Sequence, residues 1–161
     1  MNLIKALCVV SLALGTLAPS GFARAQDALV GSWVLDPTKN QGSPGMVPTA
    51  GTATVTAAAG GEYTSVSEVS VGAATGHSEI TYSVDGKDYA VTITPTQPGA
   101  AITQSMERVS DTVWSSNLKL NGQLMATVKT EVSSDGNTLT QTTTGVGQFV
   151  ALSSTVVFNR K

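Results

Sequence analysis

The chain has one cysteine, Cys8, and one histidine, His77, in 161 residues. That shortage excludes a disulfide framework. It also excludes a thiolate or imidazole metal centre, which needs several such ligands, and leaves a Ser–His–Asp triad only His77 to use. Charge is scarce as well. Lys and Arg number nine and Asp and Glu eleven, with no basic run among them, so nucleic acid and anionic membrane surfaces make poor partners. No apolar run approaches the roughly 20 residues that cross a bilayer as a helix. Only two Trp and three Tyr are present, so each of the five positions has to be accounted for.

The beginning of the chain reads as an export signal. Met1–Lys5 carries one positive charge, Ala6–Leu17 is apolar, and Ala23-Arg24-Ala25 gives the small-x-small pattern of a signal peptidase site. Cleavage is expected after Ala25, and Cys8 lies inside the apolar core, where a lipoprotein signal would not place it. The mature chain, residues 26–161, then has no cysteine and seven basic against eleven acidic residues. It suits one domain, periplasmic or secreted, with no stable membrane insertion once the signal is gone.

What remains is rich in Thr, Ser, Val, Ala and Gly, a mixture that fits pleated strands and turns. Apolar residues recur with a period of two. Strands are predicted over Ala28–Leu35, Ala50–Ala58, Glu62–Val71, His77–Asp85, Asp88–Thr94, Ala101–Val109, Thr112–Leu120, Gln123–Ser133, Asn137–Thr144 and Gln148–Arg160. Turn signals separate them: Gly60-Gly61, Gly72–Gly76, Asp85-Gly86, Asn121-Gly122 and Asp135-Gly136. The one long irregular stretch is Asp36–Pro48, whose three prolines and two glycines bar a helix. It reads either as a functional loop or as a strap across one end of the domain. Short connections make sequence neighbours antiparallel neighbours, and closure removes the exposed edges of so long a meander. The fold class is therefore all-β: an antiparallel up-and-down meander barrel of about 8–10 strands.

Gly31-Ser32-Trp33 opening the first strand, the meander, and Arg160 in the last strand resemble the calycin group of lipocalins, fatty-acid-binding proteins and avidins. Asp36–Asn40, Ser43-Pro44-Gly45 and Tyr82–Tyr89 are similar to small exported bacterial lipocalin-like proteins, over nearly the whole mature chain. The resemblance implies that Trp33 closes one barrel end with Arg160 over its indole, a cation–π contact. It also implies that Gly31 lets strands approach there, and all three would be structural residues. The departures are as informative. Asp36–Pro48 cannot form the two-helix lid of fatty-acid-binding proteins, and Phe158-Asn159-Arg160 lacks their Arg-x-Tyr carboxylate grip. The several pocket tryptophans of avidins are missing, as are the disulfides and C-terminal helix common in lipocalins. No named ligand follows.

Catalytic readings are weak. His77 stands alone beside Glu79, the carboxylates Glu62, Glu68 and Glu79 read as solvating, and a nucleophilic Ser would lack a base; the protein is not expected to be an enzyme, and no cofactor or metal is expected. The expectation is binding. Tyr63, Tyr82, Tyr89, Met106, Trp114 and Leu118 sit on in-phase faces as candidate lining for a small apolar or amphipathic ligand, or as filling for a solid core. Arg108 shares a face with Ile102 and Met106; turned inward it needs Glu62, Glu68 or a ligand carboxylate, and turned outward it is a solvated surface charge. A monomer is expected. The competing reading is a ligand-free barrel acting through its outer surface, at Asp36–Pro48 and Asn137–Thr144, as an inhibitor or envelope interaction protein.

Overall fold

The computed structural model describes residues 27–95 and 98–161; the expected signal segment 1–25 lies outside them. The described chain is nearly all strand: β1 Gly31–Leu35, β2 Gln41–Gly42, β3 Ala50–Ala57, β4 Glu62–Val71, β5 Ala74–Ser83, β6 Tyr89–Ala90, β7 Thr92–Thr94, β8 Ile102–Ser110, β9 Val113–Leu120, β10 Gln123–Val132, β11 Thr138–Gly145 and β12 Ser154–Arg160. All pairings are antiparallel, in the order β6-β8-β9-β10-β11-β12-β1-β3-β4-β5-β7, with β2 beside β12. The first and last strands meet, Trp33 opposite Arg160 and Leu35 opposite Phe158. The two ends of the path, β6 and β7, are separated only by Val91. The barrel therefore closes through one strand that changes partner midway. Tyr89 and Ala90 pair with β8, and Thr92–Thr94 pairs with β5.

Twelve segments replace the expected eight to ten because two strands are interrupted. One break is at Val91. The other divides β1 from β2: residues 36–42 run on along β12 through Asp36 N–H to Val157 O, Val157 N–H to Asn40 Oδ1, and the pairing of Thr155 with Gln41. The first part of the Asp36–Pro48 stretch, residues 36–42, thus extends the wall beside β12. A short 3₁₀ turn at Pro37–Lys39, capped by the Asp36 carboxylate, makes the break.

The turns follow backbone chemistry. At Asn121-Gly122 both residues have positive φ, 51° and 81°, as a two-residue hairpin with the sheet's twist requires. Asp85-Gly86 behaves differently. The β5–β7 register is centred on it, but the hairpin splays at its tip, and Gly86 N–H donates to Met106 O on β8. The strand after Gly72 begins at Ala74, earlier than expected, because Gly72-Ala73 suffices as a turn. Ala28–Val30 is not strand, and Gly147–Leu152 is a 3₁₀ turn, so the last strand starts at Ser154. No helix among the described residues is long and apolar enough to cross a membrane.

Alternation puts one side chain in two inside. Trp33, Val55, Ile80, Tyr82, Met106, Trp114, Leu139 and Phe158 are buried in one apolar cluster. The Thr52, Thr54 and Thr56 face of β3 stays exposed.

Candidate functional site

One end of the barrel is sealed by the first described residues. Residues 27–30 turn back beneath Trp33, which is 1% exposed and donates from Nε1 to Leu29 O at 3.1 Å. The Arg160 guanidinium lies over the indole, 4.2 Å from the ring centroid. Its three nitrogens donate to three carbonyls: Nε to Gly136 O at 2.6 Å, Nη1 to Val30 O and Nη2 to Ala28 O, each at 2.8 Å. Gly31 has φ +150°, and a Cβ there would collide with Arg160 Nη1. The glycine makes room for the guanidinium, and not for the close approach of strands that the family resemblance implies.

Asp27 is the second fastening. Its carboxylate accepts the Leu29 N–H at 3.1 Å, the Tyr63 hydroxyl at 2.6 Å and Arg108 Nη2 at 3.1 Å. Arg108 also donates from Nε to Ser110 O at 3.3 Å, and its Cζ sits 5.4 Å from the Trp114 ring. The partner of Arg108 is thus Asp27, and neither Glu62 nor Glu68, both of which are exposed. Tyr63 stacks on Tyr82, centroids 5.7 Å apart. Trp114 is fully buried, its Nε1 without a partner among the described residues.

Above this floor the barrel is hollow. A cavity of about 240 Å³ is bounded by apolar side chains including Leu29, Trp33, Val55, Ile80, Met106 and Phe158, and by a belt of neutral polar ones: Ser65, Ser67, Ser78, Gln104, Thr130, Gln141 and Thr143. The belt follows from alternation. Two residues on from Tyr63 is Ser65, two back from Ile80 is Ser78, from Met106 Gln104 and from Val132 Thr130, and two on from Leu139 is Gln141. Each step leads away from the sealed end. Residues 36–48 and 145–153 do not line the cavity. Among the described residues, the wall carries no charged side chain. Burial holds the Tyr82 hydroxyl well above the usual phenol range, with Tyr63 and Asp27 adding to the effect, so it remains a neutral donor at any ordinary pH.

Of the residues singled out from the sequence, Tyr82, Met106 and Leu118 line the cavity. Tyr63, Arg108 and Trp114 do not: they lie in or under the floor, committed to Asp27 and to one another. Tyr89 is also outside the wall, on the strand that switches partner, and its hydroxyl donates to Asp85 Oδ1 at 3.1 Å. Trp33, expected to be purely structural, both seals the floor and lines the cavity. His77 is opposite Glu68, away from the cavity, and no group of residues that could hold a metal is found among the described residues. Sequence reasoning passed over the polar belt and Asp27. The signal for the belt was present: Ser65 and Ser67 share the phase of Tyr63, and Gln104 that of Met106. Polar residues in phase with buried apolar ones mark a wall that is not solid core. Asp27 offered no such signal, because its partners lie 36 and 81 residues away.

No protein-family model and no curated protein matches the sequence. Among solved structures the chain is similar to the fluorescent protein UnaG, in its wild-type crystal structure, with a TM-score of 0.57 over 82% of this chain and 96% of UnaG. The fold is that of a calycin-type β-barrel. Identity to UnaG is 15%, so the likeness is one of architecture, and calycin barrels are scaffolds whose function resides in the individual cavity.

Proposed function

We propose that the protein is an exported, monomeric, non-enzymatic binding protein that holds a small, partly apolar molecule inside the barrel. The observation that carries this reading is the 240 Å³ cavity, sealed at one end by Trp33 and Arg160. It is somewhat below the range of about 300–1,000 Å³ typical of ligand sites, yet far above the scattered water-sized voids of a packed core. Binding, rather than catalysis, suits a wall of hydroxyls and amides with no imidazole, amine or carboxylate beside them to act as a base. A periplasmic or secreted location rests on the Met1–Ala25 pattern.

The reading in which the outer surface acts finds less support. Residues 36–42 are bound along β12, and β11, the Thr-rich strand, turns Gln141 and Thr143 into the cavity. Native mass spectrometry of the protein purified from its own host tests the proposal, with Ser65→Trp as a cavity-filling control. The expected result is a small adduct that is lost on denaturation and missing from the variant. The bare mass for both folded proteins would overturn it.

A further inference from the structure

Polar groups that face open space inside a barrel are available to meet a ligand. Within the cavity wall, Ser67 and Ser78 satisfy each other, Oγ to Oγ 2.8 Å. The hydroxyls of Tyr82 and Thr130 and the amides of Gln104 and Gln141 make no side-chain hydrogen bond within the described residues and belong to residues that border the cavity, whereas the one enclosed polar atom without a partner there is Trp114 Nε1. Thr130 and Gln141 face each other directly across β10 and β11. Gln104 lies on a different wall, on β8. These are all neutral groups that can donate or accept.

The cations are elsewhere. Among the described residues, Lys39, Lys87, Lys119 and Lys129 hold Asp36, Asp85, Asp88 and Glu131, and Lys161 is exposed. Arg108 holds Asp27 and Arg160 holds three carbonyls. None of them lines the cavity. A buried carboxylate with no cation is strongly disfavoured. Size narrows the choice further. A cavity of about 150 Å³ takes benzene, so 240 Å³ fits about ten heavy atoms by proportion, roughly half a long-chain fatty acid.

We infer that the ligand is an uncharged amphiphile of about ten heavy atoms, whose hydroxyl or carbonyl is met by Thr130, Gln141 and Gln104 of the belt or by Tyr82 below it, while its carbon skeleton lies against Trp33, Ile80 and Met106. Carboxylates are rejected. This rests on the carriage reading above.

Titration calorimetry near neutral pH with nonan-1-ol and with nonanoate tests it, on residues 26–161 and on Tyr82→Phe, Thr130→Val and Gln141→Leu, each first checked for an unchanged circular dichroism spectrum. Nonan-1-ol is expected to bind, with nonanoate at least about 100-fold weaker. At least one substitution is expected to weaken nonan-1-ol by about 3- to 10-fold, the worth of one hydrogen bond. Nonanoate binding within tenfold of the alcohol would overturn the uncharged class and leave carriage standing. Affinity unchanged within twofold in all three variants would overturn the belt's role. If neither probe binds, the ligand class assigned here is wrong; if the native protein also carries no adduct sensitive to Ser65→Trp, carriage fails with it.

Discussion

Replacing Arg160 by Ala removes the fastening that joins the last strand to the first. The side chain is half-buried and makes three hydrogen bonds to the carbonyls of Gly136, Val30 and Ala28. At this exposure each is worth about 1 kcal/mol net. The guanidinium 4.2 Å from the Trp33 ring centroid adds about 1 kcal/mol, so the total loss is about 4 kcal/mol. Against a usual domain stability of about 5–15 kcal/mol, that is a large fraction. At about 4 °C per kcal/mol for a chain of this length, the midpoint falls by about 15 °C. Urea and thermal unfolding of residues 26–161, followed by tryptophan fluorescence, give both quantities. Arg160→Lys keeps the charge over the indole but not the three-way fork and is expected to regain about 1–2 kcal/mol of the loss. A loss under about 1 kcal/mol for Arg160→Ala would refute the reasoning, because the closure of the barrel would then not depend on this residue.

Two further outcomes follow from the same contacts. Gly31→Ala drives a Cβ into Arg160 Nη1 at a φ of +150° and is expected to cost about 2–4 kcal/mol; in an Arg160→Ala background the cost should fall to about 1 kcal/mol, and additivity of the two changes in a double-mutant cycle would contradict the collision. Asp36 has its carboxyl held down from 3.8 to about 2, chiefly by the Thr38 hydroxyl and then by Lys39. A depressed folded value means that stability is present above pH 3.8 and lost as pH falls toward 2, since the unfolded chain binds the proton more readily. The midpoint of the wild type should drop across that window and that of Asp36→Asn should drop less; parallel curves would contradict the assignment.

Much of the barrel was legible in the sequence, because alternation is a local property. The phase of Tyr63, Ser65, Ser67 and Val69 is written in β4 alone, and Asn121-Gly122 needs nothing beyond its own backbone preferences. The pairing of Trp33 with Arg160 came through the family resemblance, not through periodicity. The strand breaks were harder. Residues 89–94 alternate without interruption, yet they change partner at Val91, and only closure of the whole circuit demands that switch. Gln148–Leu152 reads as strand by its Val and Leu phase, but the chain must turn there to enter β12. The candidate site divided along the same line. The phase of Tyr63 and Trp114 makes them pocket candidates, and that of Arg108 leaves it either inward or solvated. Phase gives the side of the sheet and not the height along the barrel axis, and it is height that assigns them to the floor. Asp27, which organises that floor, lies next to a predicted cleavage site and outside any periodic segment.

A crystal structure of residues 26–161 grown with nonan-1-ol tests the central claim most directly. The account expects one alcohol molecule in the cavity, its oxygen within hydrogen-bond distance of Tyr82, Thr130, Gln141 or Gln104 and its chain against Trp33. A cavity holding only water, or an alcohol bound outside the barrel, would contradict it.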